Sequence, residues 1–252
     1  MKHSTINRAC AVLVLILVAS SVWATNYQER DEINRSFTLP ASARVEVSAI
    51  NGSVDIKAID GDTATVQLER TASSRAELDC NRIVLKQAAG NLIIRSENTG
   101  GCGTIQVRHR LLLSLPRYVD LSVNGVSGPV NIGEMDGALR ISGNSGEINL
   151  AQAGRGSRIT GNSGTTTINL RRLYAGGLGL IGHSGAIKLY IDEELNAAVK
   201  VSGHSGPVSS ELPNVKFIKT GAADYYARIG SGGPTIYVVG SSSSVTLIPY
   251  RE

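Results

Sequence analysis

The sequence lacks a long apolar run and a strong excess of charge of one sign. Its apolar stretch at residues 11–19 has nine residues, whereas a helix that spans a bilayer needs about 20. The chain carries 25 Lys and Arg against 21 Asp and Glu, with the signs interspersed, and its formal net charge is +4. This balance does not form the basic footprint that nucleic-acid binding requires. The sequence therefore argues against a transmembrane span beyond the leader and against a nucleic-acid partner.

The first 24 residues have the layout of a secretory signal. Lys2 and Arg8 precede the apolar stretch, and "VWA" at 22–24 is a small-x-small cleavage site. We expect cleavage to leave a single exported domain of residues 25–252; the alternative is a retained N-terminal anchor. The expected compartment is the periplasm, with the cell surface or the extracellular space as alternatives.

Cysteine is scarce, with three residues in the chain. Cys10 precedes the apolar stretch, so it is not the lipid-bearing cysteine that follows one. Cys80 and Cys102 remain after cleavage, and an even count in an exported chain permits a disulfide. A bridge that closes a loop of this size would contribute roughly 3 kcal/mol to stability.

A repeat organises the second half of the chain. The pair Ser-Gly occurs at 127–128, 145–146, 163–164, 184–185 and 205–206, at spacings of 18 or 21 residues. Apolar residues alternate with polar ones on both sides of each pair, which is typical of two half-buried strands joined at a corner. Internal periods near 20 residues indicate a solenoid. We therefore predict an all-β fold with parallel β-solenoid rungs of about 18–21 residues, each with a Gly-x-Ser-Gly corner.

The other segments complete this prediction. Residues 45–56 align with the repeat as a first rung, residues 63–115 are predicted to form an antiparallel β-meander, and residues 119–248 are predicted to form the solenoid rungs. A degenerate last rung is expected from Tyr225 to Val238, with one more strand in the tail. No stretch predicts a helix, although residues 192–198 are compatible with one short turn.

The stretch "IGHSGAI" at 181–187 resembles the G-x-S-x-G motif of serine hydrolases. Ser184, however, occupies the same repeat position as four other serines, and a catalytic serine does not need five copies. A nucleophile elbow also requires a following helix, whereas a strand is predicted after Ile187. We therefore interpret Ser184 as a corner residue.

The repeat position before each serine holds Val126 and then four polar residues. These are Asn144, Asn162, His183 and His204. We predict an exposed polar ladder here and select these four as candidate binding residues. His183 and His204 would lie about 5 Å apart on adjacent rungs, but zinc requires at least three protein ligands, so no metal site and no cofactor are predicted.

Other candidate groups are weaker. Tyr225 and Tyr226 could stack on a sugar, but a packed or half-exposed strand pair is the favoured interpretation. The arginines at 155, 158, 171 and 172 could meet an anionic envelope polymer, but solvated return loops are favoured. The acidic run at 192–194 is interpreted as a solvated loop. His109 lies in an alternating strand and is expected at the surface.

Five segments together resemble a known family. They are "NGSVDI" at 51–56, "LLLSLPRYVDLSVNGVSGPVNI" at 111–132, "ALRISGNSGEINL" at 138–150, "SRITGNSGTTTINL" at 157–170 and "GHSGAIKL" at 182–189. The pattern is similar to the putative adhesin family of bacterial extracytoplasmic β-strand-repeat proteins, over residues 36–248. The resemblance implies export and a β-solenoid-like fold, and it supplies no catalytic residues.

The sequence thus favours a non-enzymatic, adhesin-like module that binds or scaffolds in the cell envelope. The expected partner is an envelope polymer or an envelope protein. The alternatives are a polysaccharide-active enzyme on a β-helix, which would need convergent carboxylates, and a sensor or regulatory domain of an envelope-stress pathway.

Overall fold

The computed structural model describes residues 29–41 and 43–251, so the predicted signal at 1–24 lies outside the described residues. Strands dominate, which confirms the all-β class. The strands are β1 (Glu29–Thr38), β2 (Arg44–Ser48), β3 (Gly52–Ile59), β4 (Thr63–Ala72), β5 (Asn81–Ala88), β6 (Asn91–Asn98), β7 (Arg108–Pro116), β8 (Asp120–Asn124), β9 (Val130–Ile132), β10 (Leu139–Ser142), β11 (Ile148–Leu150), β12 (Ser157–Thr160), β13 (Thr166–Leu170), β14 (Leu178–Ile181), β15 (Ile187–Ile191), β16 (Ala197–Ser202), β17 (Val208–Ser210), β18 (Ile218–Lys219), β19 (Tyr225–Ile229), β20 (Thr235–Val239) and β21 (Val245–Pro249).

The strands form two sheets. The first has the order β1-β4-β7-β3-β9-β11-β13-β15-β21-β17, and the second has the order β18-β19-β16-β20-β14-β12-β10-β8-β2-β6-β5. Each rung places one strand in the second sheet, turns a corner, and places the next strand in the first sheet. Neighbouring rungs pair in parallel and in register, for example Leu121 with Leu139 and Val130 with Ile148. The predicted solenoid architecture is therefore confirmed.

The core lies between the two sheets. Alternate residues of each strand point inward, so that Leu139, Ile159 and Leu180 of the second sheet meet Ile148 and Ile187 of the first, and all five are at most 1% exposed. No rung could bury these side chains alone, because each offers one apolar face that the stacked neighbours and the opposite sheet must cover. The residues between them point outward and form the two outer faces of the molecule.

Each corner uses two glycines for different reasons. Gly143, with φ +63°, turns the chain in the left-handed region that other residues adopt at a cost. Gly146 has no such angle, but a Cβ there would lie 2.0 Å from the carbonyl oxygen of Gly128 on the preceding rung. The first glycine therefore redirects the chain, and the second allows the rungs to approach.

The antiparallel pairing predicted for residues 63–115 is present, but it is divided between the two sheets. β4 pairs with β7 in the first sheet, and β5 pairs with β6 in the second. β6 and β7 also pair in parallel with β2 and β3. They thus form a rung outside the first rung, and β1, β4 and β5 cover its edges.

One short helix, α1 (Arg75–Cys80), was not predicted. Its N-cap is Ser74, whose hydroxyl accepts a hydrogen bond from the Glu77 backbone N–H at 3.3 Å. The sequence Ser-x-x-Glu that marks this start was available in the chain. Cys80, the last residue of α1, forms a disulfide with Cys102. The turn expected at 192–198 is a single turn, in which the Leu195 N–H donates to the Asp192 carbonyl.

The end of the stack does not follow the order of the sequence. β20 lies between β14 and β16, and β21 lies between β15 and β17. The predicted last rung from Tyr225 to Val238 was wrong, because β19 pairs antiparallel on the far side of β16. The last rung is instead β20 and β21 with a corner at residues 240–243. Within the described residues, no helix has the length and apolarity needed to cross a membrane.

Candidate binding surfaces

The four predicted binding residues are buried, not exposed. Asn144 is 3% exposed, Asn162 1%, His183 1% and His204 3%. Each follows a glycine with positive φ, which reverses the direction of the next side chain and turns it toward the core. Together with Val126 and Ser241 they form what we name the corner column. The expectation of an exposed ladder was wrong, because the alternation slips at the first glycine of the corner.

The middle of the corner column holds the corners together. The Asn144 Oδ1 accepts a hydrogen bond from the Val126 N–H on the preceding rung at 2.8 Å. The Asn162 Nδ2 donates to the Gly164 carbonyl at 2.6 Å and to the Thr166 hydroxyl at 2.9 Å. His183 Nε2 lies 3.2 Å from the Ile159 carbonyl, and burial lowers the pKa of His183. These contacts supply partners that the turning backbone would otherwise lack.

His183 and His204 are not on adjacent rungs. The Ser242 N–H donates to the His183 carbonyl, and the Ser205 N–H donates to the Ser241 carbonyl, so the rung of Ser241 lies between the two histidines. The expected separation of about 5 Å was therefore wrong, since two strand spacings separate them. Among the described residues, no group of three or more His, Cys, Asp or Glu could hold a metal ion.

The corner serines point outward instead. Ser127, Ser145, Ser163, Ser184 and Ser205 are all exposed. The Ser184 N–H donates to the Asn162 carbonyl, a contact that repeats from rung to rung. The adjacent His183 ring is turned inward to Thr166 and Ile159. Ser184 is therefore an element of the corner, as the repeat predicts.

His109 was expected at the surface, but it is 4% exposed. Its Nδ1 accepts from the Asn51 N–H at 3.1 Å, and its Nε2 lies 2.9 Å from Asn81 Oδ1. Asn81 Nδ2 donates in turn to Ser96 and Asn98. Burial, with a smaller contribution from the Arg70 guanidinium, lowers the pKa of His109 to about 4. The imidazole is therefore neutral at pH 7 and serves as a hydrogen-bond bridge.

The arginines of the return loops are paired within the chain. Arg171 forms an ion pair with Glu134, and Arg172 donates to Asp136 at 2.8 Å. The Tyr174 hydroxyl donates to the same carboxylate at 2.9 Å. The carboxylates lie on the loop between β9 and β10 and the arginines on the loop between β13 and β14, so the network spans the intervening return loop on the side away from the corners.

A groove crosses the outer face of the first sheet, and we name it the amide groove. Its floor is a row of outward residues in register: Asp55, Asn131, Asn149 and Thr167. Its volume is about 640 Å³. Thr65, Gln67, Leu112, Ser114 and Asn169 contribute to its lining. Asn131 and Asn149 share one repeat position, so their stacking was a signal present in the sequence.

The floor of the amide groove is organised by its own hydrogen bonds. Asn131 Nδ2 donates to Asp55 Oδ1 at 2.6 Å, and Asn149 Nδ2 donates to Asn131 Oδ1 at 2.9 Å. Each amide retains one further N–H and lone-pair capacity for another hydrogen-bond partner. The arrangement can donate and accept hydrogen bonds at regular intervals along the stack, which suits a chain of hydroxyl groups.

Comparison with known proteins gives a family. The sequence profile described as Toastrack DUF4097 matches residues 28–247. No curated protein matches the chain.

Three solved structures are similar over most of their length. A putative cell adhesion protein from Clostridium sporogenes has 10% identity and a TM-score of 0.46, with 88% of this chain and 100% of that chain covered. A putative adhesin from Bacteroides fragilis has 11% identity and a TM-score of 0.38, with 87% and 97% covered. A putative lipid binding protein from Parabacteroides distasonis has 12% identity and a TM-score of 0.30, with 85% and 96% covered.

Proposed function

The chain belongs to the Toastrack DUF4097 family, and we propose that it is an exported, non-enzymatic binding module of the cell envelope. In this proposal the module is adhesin-like and holds an uncharged, hydroxyl-rich envelope polymer in the amide groove. The periplasm is the proposed compartment.

The observation that carries the proposal is the row of stacked side-chain amides on the floor of the amide groove, which we name the amide row. Asn131 and Asn149 present equivalent groups about 4.8 Å apart on successive rungs. A polymer with repeating hydroxyl groups can form the same contact at each step, and weak contacts then add along the groove. A single carboxylate, that of Asp55, lies in this row, and Asn131 occupies one of its oxygens. This differs from the two carboxylates that glycoside hydrolysis normally uses.

Export is supported by the signal-like leader and by the disulfide. Cys80 and Cys102 form a bridge across 22 residues, and such bridges persist in oxidising compartments. The bridge joins α1 to the loop before β7, and both cysteines lie in the sequence between Asp55 and Asn131. In an oxidising compartment this bridge would stabilise the N-terminal end of the stack.

The test is cosedimentation of the mature protein, residues 25–252, with purified peptidoglycan sacculi and with neutral polysaccharide extracted from the same envelope. We expect binding that weakens about thirtyfold in the double variant Asn131→Ala/Asn149→Ala, since each of the two lost hydrogen bonds contributes about 1 kcal/mol. The matched control is Ser209→Ala/Thr246→Ala, a hydrogen-bonded pair on the same face outside the groove.

Two outcomes would contradict the proposal. Equal binding by the groove variant and the control variant would show that the amide groove is not the contact surface. If the wild-type protein bound neither polymer, an uncharged, hydroxyl-rich envelope polymer would be excluded as the ligand. Soluble fragments released by the wild-type protein, and lost in Asp55→Asn, would instead indicate a polysaccharide-active enzyme.

A further inference from the structure

The outer face of the second sheet has a different chemistry from the amide groove. One row of outward residues runs across it in register, and we name it the cationic row. The row consists of Arg140, Arg158, Gly179, Tyr237, Lys200 and Tyr226. It contains three cations, two phenol rings and one position without a side chain. Beyond Arg140, the same register continues through Ser122 to the carboxylate of Glu46. Glu46 is therefore two strands away from Arg140.

The two arginines form an unfavourable pair. Arg140 and Arg158 occupy directly opposite positions on neighbouring parallel strands, and both are exposed. Neither has an ion pair or a hydrogen bond within residues 29–41 and 43–251, unlike Arg171 and Arg172 on the return loops. Like charges at opposite positions destabilise a sheet. A bound anion between them would remove this repulsion.

The aromatic part of the row is unusually exposed. Among the described residues, the large apolar side chains with the greatest exposure are Ile218 at 63%, Tyr237 at 46% and Val239 at 40%. Val239 follows Tyr237 by two positions on β20, so it shares the same outer face, and Ile218 pairs with Tyr226 at the end of the row. Lys200 Nζ lies 5.9 Å from the centroid of the Tyr237 ring, within the range of a cation–π contact.

Gly179 leaves a gap between Arg158 and Tyr237. Its backbone does not require glycine, because its φ is not in the left-handed region and a Cβ would meet Arg158 at ordinary distances of 3.8 and 3.9 Å. The gap spans two strand spacings, about 9–10 Å from β12 to β20. It is flanked by a guanidinium on one side and by a phenol ring on the other, so it offers both charge and a stacking surface.

We infer that the cationic row is a binding site for an anionic glycan. A sugar ring lies in the gap over Gly179 against Tyr237, and its carboxylate or phosphate contacts Arg158 and Arg140. Charge complementarity identifies the occupant, since the row carries three cations. The sugar ring is assigned by the exposed phenol beside an unfilled position. This site is on the opposite face from the amide groove and does not depend on the function proposed for that groove.

The test is titration of the mature protein by calorimetry with two probes, an oligogalacturonate and a phosphorylated mannan oligosaccharide, each against its uncharged counterpart. We expect binding of at least one charged probe, at least tenfold stronger than that of its counterpart. Raised salt should weaken it, because the arginines are exposed. The variant Arg140→Gln/Arg158→Gln should bind at least tenfold more weakly.

Two variants separate a built site from general attraction. Gly179→Thr fills the gap without a change of charge, and we expect it to weaken binding at least fivefold. Lys188→Gln/Lys216→Gln removes two exposed cations outside the row, and we expect a change of less than twofold. Thermal unfolding of all variants monitors folding.

The inference would be overturned by any of three results. The Lys188/Lys216 variant could weaken binding as much as the arginine variant, Gly179→Thr could have no effect, or neither charged probe could bind. Binding of the protein to phosphatidylglycerol vesicles, with loss in the arginine variant and no affinity for the glycans, would assign the row to a membrane surface instead.

Discussion

The middle of the stack and its ends are built by different rules. From β8 to β15, rungs that are consecutive in the sequence are neighbours in the stack. At the C-terminal end the order is exchanged, and the last rung lies between its two predecessors. At the N-terminal end the rung of β6 and β7 lies outside the earlier rung of β2 and β3. A sequence repeat therefore fixes the shape of a rung, whereas the path of the chain fixes its neighbours.

The exchange has a structural cost that the middle of the stack does not bear. The rung of β16 and β17 is placed one level beyond its expected position, which leaves a slot that only a whole rung can fill. Until β20 and β21 occupy that slot, one edge of each of β14, β15, β16 and β17 lacks its partner. Unpaired strand edges favour aggregation.

The largest expected effect is from removal of the closing rung. Deletion of residues 235–252 removes four buried apolar side chains, namely Ile236, Val238, Val245 and Leu247. At roughly 1.5–3 kcal/mol each, this loss is about 6–12 kcal/mol, comparable to the whole stability of a domain. We expect no cooperative thermal transition by circular dichroism and association in sedimentation velocity. Truncation after Tyr250 is the control, and a cooperative transition in the longer deletion would contradict the role of the slot.

A smaller effect is expected from one methyl group in the middle of the stack. Gly146→Ala places a Cβ 2.0 Å from a backbone oxygen that has no room to move, and we expect a loss of about 3 kcal/mol or more in urea unfolding. Gly179→Ala is the matched control on a strand, where a Cβ fits and the expected change is within about 1 kcal/mol. Equal effects of the two substitutions would show that rung spacing is not limited by the corner.

A pH effect is expected at the N-terminal end. The pKa of His109 is about 4 in the folded chain and 6.5 as the ordinary value, so the unfolded chain binds more protons between these values. The contribution of neutral His109 to the free energy of unfolding is therefore complete above pH 6.5. It is lost as the pH falls toward 4, by about 3 kcal/mol in total. Urea unfolding between pH 7 and pH 4 measures this slope. His109→Gln should be less stable at pH 7 and should show a flatter profile, and an unchanged slope would contradict the assignment.

The smallest effect contrasts two positions of the corner column. Asn162 makes two hydrogen bonds through its Nδ2, whereas both ring nitrogens of His204 lack a partner of normal geometry within the described chain. Val126 shows that an apolar residue fits this position. We expect Asn162→Val to cost about 1–3 kcal/mol and His204→Val to cost less than about 1 kcal/mol. The reverse order in urea unfolding would show that the column is uniform.

The local features of the fold were predictable from the sequence, because they depend on periodicity. Alternation around each Ser-Gly pair predicted the inward positions of residues such as Ile141 and Ile148. The direction of the next residues was not predictable from alternation alone, since the positive φ of a glycine such as Gly143 reverses it. For this reason the corner column was predicted to be exposed although it is buried. No exposure was predicted for the corner serines, which are exposed.

The order of the rungs was not predictable from spacing. The last corner, at residues 240–243, has the sequence Gly-Ser-Ser-Ser, so alignment on Ser-Gly did not reveal it. The cationic row depends on that corner, because Tyr237 reaches Gly179 only through the insertion of β20. The amide row was easier to predict from the sequence, because Asn131 and Asn149 recur at one repeat position between apolar residues.

The inserted rung also acts as a checkpoint of synthesis. A chain is made from its N-terminus, so the segment that fills the slot is produced after all four strands that flank it. A product that ends before residue 235 would display four open strand edges, a surface that proteases and chaperones can recognise. A chain that includes β20 and β21 hides these edges, so the architecture distinguishes chains with this rung from chains that lack it.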